Sequence, residues 1–363
     1  YRGYYQGMQN MYPTSISQII EAVTKMIFGL GLSGAVLYLT QREYETYGTV
    51  LGQSYAGQAQ AQAVIAQLAS GAAVLGVSLS TAAGLLYLMI RWRKKGDGVP
   101  DELVRQSPQP QRAGVLFKTI IVIAVPVCLG SLAVNFSGII DLMTVTGRLA
   151  EVMQTAPQAL LDCYGANIPE AEIINNSVHN YLYGAYSGKA VVIANLVPAL
   201  TAGLAVSALP VVAESFAQGN RLRTQRSVQM VLRITTIVCI PAGLGISALA
   251  QEVCELFFGY NSEVAIGAPL LQVLAIASIF IALTAAINSL LQAVGRVSLP
   301  VKLILIGSLV KLAMNYILVG IPQINIQAAP WSTLACCLLV TVLSLIALRQ
   351  SVGELGVVSV FVK

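Results

Sequence analysis

The stretch AIGAPLLQVLAIASIFIALTAAINSLL, residues 265–291, runs for 27 residues without a charged side chain. An α-helix needs about 20 mostly apolar residues to cross the roughly 30 Å hydrocarbon core of a bilayer. Of all 363 residues, 56% are hydrophobic and 10% are charged, whereas soluble domains carry about 25% charged residues. The stretch therefore predicts a membrane-spanning helix, and the composition predicts that it is one of several.

Similar apolar blocks recur along the whole chain. Eight of them are found, at residues 16–40, 63–90, 114–145, 186–211, 231–251, 265–291, 303–322 and 328–349. Each is long enough to cross a bilayer as a helix. The sequence therefore predicts an all-α polytopic membrane protein with about eight transmembrane helices.

Lysine and arginine are concentrated in alternate loops, which predicts the orientation. Thirteen cations lie in the segments 1–15, 91–113, 212–230, 292–302 and 350–363. The opposite set, 41–62, 146–185, 252–264 and 323–327, contains Arg42 and Arg148 as its two cations. Because cytoplasmic loops carry the excess of lysine and arginine, we expect both ends of the chain to be cytoplasmic.

The longest cationic loop is RWRKKGDGVPDELVRQSPQPQRA, residues 91–113. Its polar, proline-containing composition favours a linker between two helical bundles. A solvated loop that contacts anionic headgroups is the alternative interpretation. The chain begins at Tyr1 rather than at a methionine, so we expect it to be a fragment of a longer protein.

Small side chains recur every four residues in the second apolar block, at Ala72, Gly76, Ser80 and Gly84. This spacing places them on one helix face, where they allow a neighbouring backbone to approach closely. We therefore predict that this face packs against another helix.

The sequence lacks the common motifs of enzymes and metal sites. The six cysteines form no C-x-x-C pair, and His179 is the single histidine, so neither a disulfide framework nor a metal site is predicted. There is no P-loop, G-x-S-x-G elbow or H-E-x-x-H motif. Because these motifs are missing, we expect no enzymatic activity and no cofactor. We also expect no nucleic-acid partner, since the cations lie in short loops between spans.

Four segments carry a resemblance to a known family. They are RGYYQGMQNMYPTSISQIIEA at 2–22, NFSGIIDLMTV at 135–145, LPVVAESFAQG at 209–219 and LLQAVGRVSLP at 290–300. They resemble the stage V sporulation protein B and MurJ-type branch of the multidrug/oligosaccharidyl-lipid/polysaccharide (MOP) exporter superfamily.

The resemblance implies a transporter bundle of the MATE and MurJ kind, with fourteen helices in two six-helix lobes plus two further helices. The eight spans here would be family helices five to twelve, so the chain would be truncated at both ends. Residues 1–90 would be the remainder of the first lobe, 91–113 a cytoplasmic loop, and 114–363 the second lobe. The implied activity is outward movement of an undecaprenyl-linked saccharide by alternating access, in the bacterial plasma membrane.

Ionisable groups inside apolar spans are functional candidates because an unpaired charge in hydrocarbon is costly. Glu21 and Lys25 are four residues apart, which predicts a pair on one helix face. That pair is either structural, or part of a gate or of a site for an anionic headgroup. Lys311 lies near the middle of its span with Asn315 one turn later, which predicts a contact between helices or a further gating group.

A second group of polar residues lies in the third and fourth spans. A diphosphate-linked sugar needs cations with amide partners, and Lys189, Asn195 and Asn135 are of those types. They are the predicted substrate-binding residues, together with Asp141. Because Asp141 is an anion, it would pair with Lys189 or Arg148, or hold a coupling ion.

The function predicted from these observations is that of a flippase for lipid II or a polysaccharide precursor. Its partners would be the lipid-linked saccharide and membrane lipids, with a coupling ion left open, and the protein would act as a monomer. The alternatives are a small-molecule or drug antiporter of the same superfamily, a membrane-embedded enzyme acting on glycolipids, and a non-transporting scaffold or receptor-like member.

Overall fold

The computed structural model describes residues 1–8, 10–55, 57–96, 112–174 and 177–353. These residues belong to two compact units, Tyr1–Pro110 and Gln111–Lys363. The boundary falls within the segment 91–113, of which 97–111 lie outside the described residues. The assignment of the two units to two transporter lobes stays a prediction.

The first unit is a helical hairpin with a short helix before it. Its elements are α1 (Arg2–Gly7), α2 (Tyr12–Tyr47), β1 (Thr49–Val50), β2 (Gln53–Ser54) and α3 (Gln58–Lys95). The two strands pair antiparallel and form the turn that joins α2 to α3. Helix α2 is capped at its C-terminus by Gly48, whose φ of 68° lies in the left-handed region that glycine adopts without strain.

The predicted small-residue face of α3 packs against α2. A Cβ atom at Gly76 would lie 2.6 Å from the backbone nitrogen of Gly29, so a residue larger than glycine would push the two backbones apart. Ala72 and Ser80 on the same face are buried. The prediction of a packing face is confirmed.

The second unit is also helical. Its elements are α4 (Ala113–Thr155), α5 (Pro157–Tyr164), a 3₁₀ turn (Gly165–Asn167), α6 (Glu170–Ile174), α7 (Val178–Ala185), a π-helical turn (Tyr186–Ala190), α8 (Val191–Ala194), α9 (Leu196–Ala217), α10 (Arg221–Ala248), α11 (Ala250–Phe258), α12 (Ser262–Ala293), α13 (Ser298–Leu318), a 3₁₀ turn (Asn325–Gln327) and α14 (Ala328–Val352).

Helix α12 contains the uncharged stretch 265–291 and is the centre of this unit. It packs against α9, α10, α14 and the π turn. Its buried residues lie on nearly every face, from Val264 to Leu291, as expected for a helix that is apolar all round. Close backbone approach contributes to this packing, because a Cβ atom at Gly243 of α10 would lie 2.9 Å from the carbonyl oxygen of Ala275.

Within the described residues, seven helical segments are long and apolar enough to cross a membrane. They overlap seven of the eight predicted spans, and the prediction of an all-α polytopic membrane protein is confirmed. The third predicted span, 114–145, lies inside the 43-residue helix α4, of which Ala113–Val122 is a shorter apolar segment. Its crossing of the membrane and the orientation of the termini stay predictions.

One membrane segment is interrupted twice. The run from Val178 to Ala217 contains the π turn and then a break at Asn195 between α8 and α9. Pro198 follows three residues later, and its nitrogen has no hydrogen to donate to the preceding turn. A π turn shifts the direction of the side chains that follow it and is frequent at functional sites. On this turn, the Tyr186 hydroxyl lies near Thr333 of α14, and Lys189 lies near Gly267 of α12.

Candidate functional site

A buried polar network joins three helices of the second unit. Asp141 lies on α4, Lys311 and Asn315 lie one turn apart on α13, and Ser332 lies on α14. Lys311 Nζ donates to Asp141 Oδ2 at 2.6 Å, and Asn315 Nδ2 donates to Asp141 Oδ1 at 2.9 Å. The hydroxyl of Ser332 donates to Asn315 Oδ1. Each of the two carboxylate oxygens therefore has its own donor.

The network is closed to solvent. The side chains of Lys311 and Asp141 are 7% and 11% exposed, and Asn315 and Ser332 are fully buried. A buried ion pair is tolerated when its geometry is good and further hydrogen bonds satisfy the remaining donors and acceptors. Both oxygens of Asp141 meet this condition, because each accepts from its own donor, so the network is a fixed link from α4 to α13 and α14.

A second lysine–carboxylate pair lies on the π turn. Lys189 Nζ is 3.1 Å from Glu263 Oε2, and the two side chains are 18% and 38% exposed. Glu263 is the second residue of α12. The ammonium also lies 4.4 Å from the ring centroid of Phe258, a distance typical of a cation–π interaction.

Glycine at the start of α12 permits this arrangement. A Cβ atom at Gly267 would lie 3.2 Å from the carbonyl oxygen of Ala185 and 3.3 Å from Lys189 Cβ. The π turn can therefore rest directly on α12, which brings Lys189 within reach of Glu263. The same turn carries Tyr186, which is 2% exposed and whose hydroxyl lies 3.5 Å from Thr333 Oγ1.

The first unit contains a third ion pair. Arg2 Nη2 lies 2.5 Å from Glu21 Oε2, and Arg2 Nε donates to Ser17 Oγ at 2.9 Å. Helix α1 is thereby attached to α2. Arg2 is the ion-pair partner of Glu21, while the side chain of Lys25, four residues later, is exposed. The Glu21–Lys25 pair stays a prediction.

Comparisons with known proteins agree with the sequence motifs. Residues 185–317 match the MatE family. The chain is 24% identical over 340 residues to a Bacillus subtilis (strain 168) protein named lipid II flippase MurJ, a match that covers 93% of the chain and 54% of that relative. The resemblance to MurJ-type MOP exporters is confirmed. The chain spans about half the length of the curated relative that it matches, and no solved structure matches it.

The MatE match begins within helix α7, at Ala185 next to the π turn, and ends near the end of α13. It thus contains Lys189 and Glu263, the ion pair on the π turn. It also contains Lys311 and Asn315 of the buried network.

The structure separates the four predicted substrate-binding residues. Lys189 is half-buried on the π turn, whereas Asn135 on α4 and Asn195 after α8 are exposed. Asp141 pairs with Lys311, so the predicted pairing of Asp141 with Lys189 or Arg148 is wrong. Arg148 pairs instead with Glu151, and its guanidinium lies 4.5 Å from the ring centroid of Tyr316.

The turn before α14 is held by a polar contact at one end of the unit. Tyr164 on α5 donates to Asn325 Oδ1 at 2.9 Å. Burial raises the pKa of Tyr164, which keeps its hydroxyl protonated as a donor at neutral pH. Asn325 has a φ of 43°, a left-handed conformation in which asparagine is enriched. This contact fixes the start of α14 and thereby the position of Ser332.

Four residues near the two pairs were not predicted from the sequence: Glu263, Phe258, Tyr186 and Ser332. Glu263 lies in the predicted loop 252–264, whereas the structure has it in α12, where Asn261 is the N-cap residue and its side chain accepts from the Val264 nitrogen at 2.9 Å. That capping signal was available in the sequence. Within the described residues, no group of three or more histidine, cysteine or acidic side chains is placed to hold a metal ion.

Proposed function

We propose that the chain forms part of a flippase that moves an undecaprenyl-linked saccharide outward across the bacterial plasma membrane by alternating access. The observation that carries this proposal is the similarity over 93% of the chain to a protein named lipid II flippase MurJ. The polytopic helical fold and the lysine on an interrupted membrane helix support it. No covalent step is part of the proposal, and a monomer suffices for it.

In this proposal, Lys189 contacts the diphosphate of the lipid-linked substrate. An ammonium group and phosphate oxygens form charge-assisted hydrogen bonds, which are stronger than neutral ones. Lys189 is 18% exposed, so a ligand can reach it. Asn135 and Asn195 are exposed amides and are proposed to bind hydroxyl groups of the saccharide.

The Asp141–Lys311 network has a different proposed role. Both charges are satisfied within the protein, so neither is available to a substrate. We assign the network to holding α4 against α13 and α14, so that these helices move as one body during alternating access. In the first unit, we assign the gating role of Glu21 to the Arg2–Glu21 pair, and we propose that Lys25 contacts anionic headgroups.

A small-molecule antiporter, the alternative function, requires an acid that can bind its substrate or a coupling ion in a pocket near the middle of the membrane. Asp141 is the buried carboxylate among the described residues, and Lys311 and Asn315 occupy both of its oxygens. This observation favours the flippase over the antiporter.

The test is complementation in bacteria depleted of their lipid II flippase. The gene that encodes the chain is expressed together with its flanking sequence, and lipid II in the outer leaflet is measured with an accessibility assay. Restored growth with lipid II in the outer leaflet supports the proposal. Failure to restore growth by a stably inserted protein would assign the substrate to another class of molecule.

Replacing Lys189 with alanine tests the site. We expect Lys189→Ala to reduce flipping about tenfold or more, because a hydrogen bond to a charged group contributes about 1.5 to 3 kcal/mol. Lys302→Ala is the matched control, since Lys302 is an exposed lysine on α13 without an ion pair among the described residues. Equal flipping by the two variants would remove Lys189 from the site.

A further inference from the structure

The Lys189–Glu263 pair has the properties of an exchangeable contact. We propose that Glu263 is a displaceable counter-ion, which gives up Lys189 to the diphosphate of the substrate and takes it back when the substrate leaves. This inference rests on the proposed function and adds to it the step by which the site empties. It also identifies the acid that sets the affinity of the site.

The geometry permits Glu263 to leave. Its bond to Lys189 is a single contact of 3.1 Å, and its side chain is 38% exposed. In the described part of the chain, Lys189 is the ion-pair partner of the Glu263 carboxylate. Rotation of the Glu263 side chain away from Lys189 therefore breaks one ion-pair contact.

Lys189 keeps its position when Glu263 leaves. The ring of Phe258, 4.4 Å from Nζ, attracts the ammonium whether or not an acid is present. The π turn rests on Gly267 and fixes the Cβ atom of Lys189. An ammonium has three donors, so after the exchange it has donors for several phosphate oxygens.

The charges give the direction of the exchange. A diphosphate carries more negative charge than one carboxylate and offers more acceptor oxygens, so it displaces Glu263 when it is present. Without Glu263, the partly buried ammonium would have no counter-ion in the empty site, which is costly. Glu263 thus stabilises the empty site, weakens substrate binding and favours release.

Binding of a diphosphate probe tests this exchange directly. Inorganic pyrophosphate and farnesyl diphosphate are titrated against the full-length protein in nanodiscs, by calorimetry. We expect Glu263→Gln to bind both probes about threefold more tightly than the wild type, equivalent to about 0.7 kcal/mol, because the ion pair that is lost is worth about 1 kcal/mol or less. Glu252→Gln, which removes an exposed acid from the neighbouring helix α11, should bind as the wild type does.

A Lys189→Ala background separates the exchange from a general charge effect. In that background, adding Glu263→Gln should no longer change the affinity. In the flipping assay, Glu263→Gln should lower the rate at saturating substrate, because release becomes slower. Glu263→Ala is the second variant if the glutamine variant is not stable.

Three results would overturn the exchange. They are an unchanged or weaker pyrophosphate affinity in a stable Glu263→Gln protein, an equal gain in Glu252→Gln, and no pyrophosphate binding by either the wild type or Glu263→Gln. The two proposals fail separately. Tighter pyrophosphate binding without complementation keeps the exchange and rejects the lipid II flippase, whereas complementation with unchanged affinity does the reverse.

Discussion

The Asp141–Lys311 pair and the Lys189–Glu263 pair join the same two chemical groups within one unit, yet their surroundings differ. The first is 11% and 7% exposed and has Asn315 as a further donor to the carboxylate. The second is 18% and 38% exposed, and among the described residues its carboxylate has Lys189 as its ion-pair partner. Burial and the number of additional hydrogen bonds, rather than the identity of the charged residues, distinguish a fixed link from an exchangeable one.

The energetic consequences of breaking the two pairs differ for the same reason. Removing one partner of a buried pair leaves an uncompensated charge and costs about 3 to 5 kcal/mol. An exposed pair is worth about 0 to 1 kcal/mol, because water solvates the partner that remains. The two pairs therefore make separable predictions for stability and for transport.

The largest effect is expected for Lys311→Met. The substitution leaves the Asp141 carboxylate buried beside a thioether, so we expect a loss of about 3 to 5 kcal/mol in the free energy of unfolding. Lys189→Met is the matched comparison and should lose about 1 kcal/mol or less. Unfolding in mild detergent, followed by tryptophan fluorescence, measures both.

A double substitution distinguishes a charge effect from a packing effect. Asp141→Leu combined with Lys311→Met removes both buried charges, and apolar replacement of a buried pair is often neutral or stabilising. We expect the double variant to recover most of the stability. If Lys311→Met and Lys189→Met were equally stable, the distinction between the two pairs would be lost.

A smaller effect is expected for Ser332→Ala. Ser332 donates to Asn315 Oδ1, and its removal leaves a buried acceptor unsatisfied at a cost of about 1 to 3 kcal/mol. Ser344 on the same helix is the control, because it is equally buried and its hydroxyl has no partner among the described residues. Ser344→Ala should be neutral or stabilising, and the same unfolding assay should rank the two variants in this order.

Much of the fold follows from local properties of the sequence. The apolar blocks and the four-residue spacing from Ala72 to Gly84 predicted helices and a packing face that the structure contains. Lys311 and Asn315 were predicted as a same-face pair because they are one turn apart. Their common partner Asp141 was selected as an intramembrane acid, but a separation of 170 residues along the chain gave no signal that it meets Lys311.

The contacts that the sequence did not predict in the candidate site have the same physical origin. Glu21 and Lys25 offered a favourable local spacing, yet Arg2 reaches Glu21 from α1, 19 residues away. The Lys189–Glu263 contact depends on a π turn and on Gly267, and neither changes the periodicity that predicts a helix. Local spacing therefore predicted which residues are polar and on which helix, whereas the pairing depended on tertiary packing.

The smallest effect is expected in the salt dependence of the coupling energies within the Lys189–Glu263 and Asp141–Lys311 pairs. Double-mutant cycles, Lys189→Met with Glu263→Gln and Lys311→Met with Asp141→Leu, give the coupling energy of each pair. We expect the first to be about 1 kcal/mol or less and to fall when ionic strength rises from about 0.1 M to about 1 M, as the Debye length shortens from about 10 Å to about 3 Å.

The second coupling should not change over this range, because ions do not enter a site that is 7% to 11% exposed. Equal salt dependence of the two pairs would mean that solvent reaches Asp141 and Lys311. That result would place the buried network, too, within reach of a charged ligand.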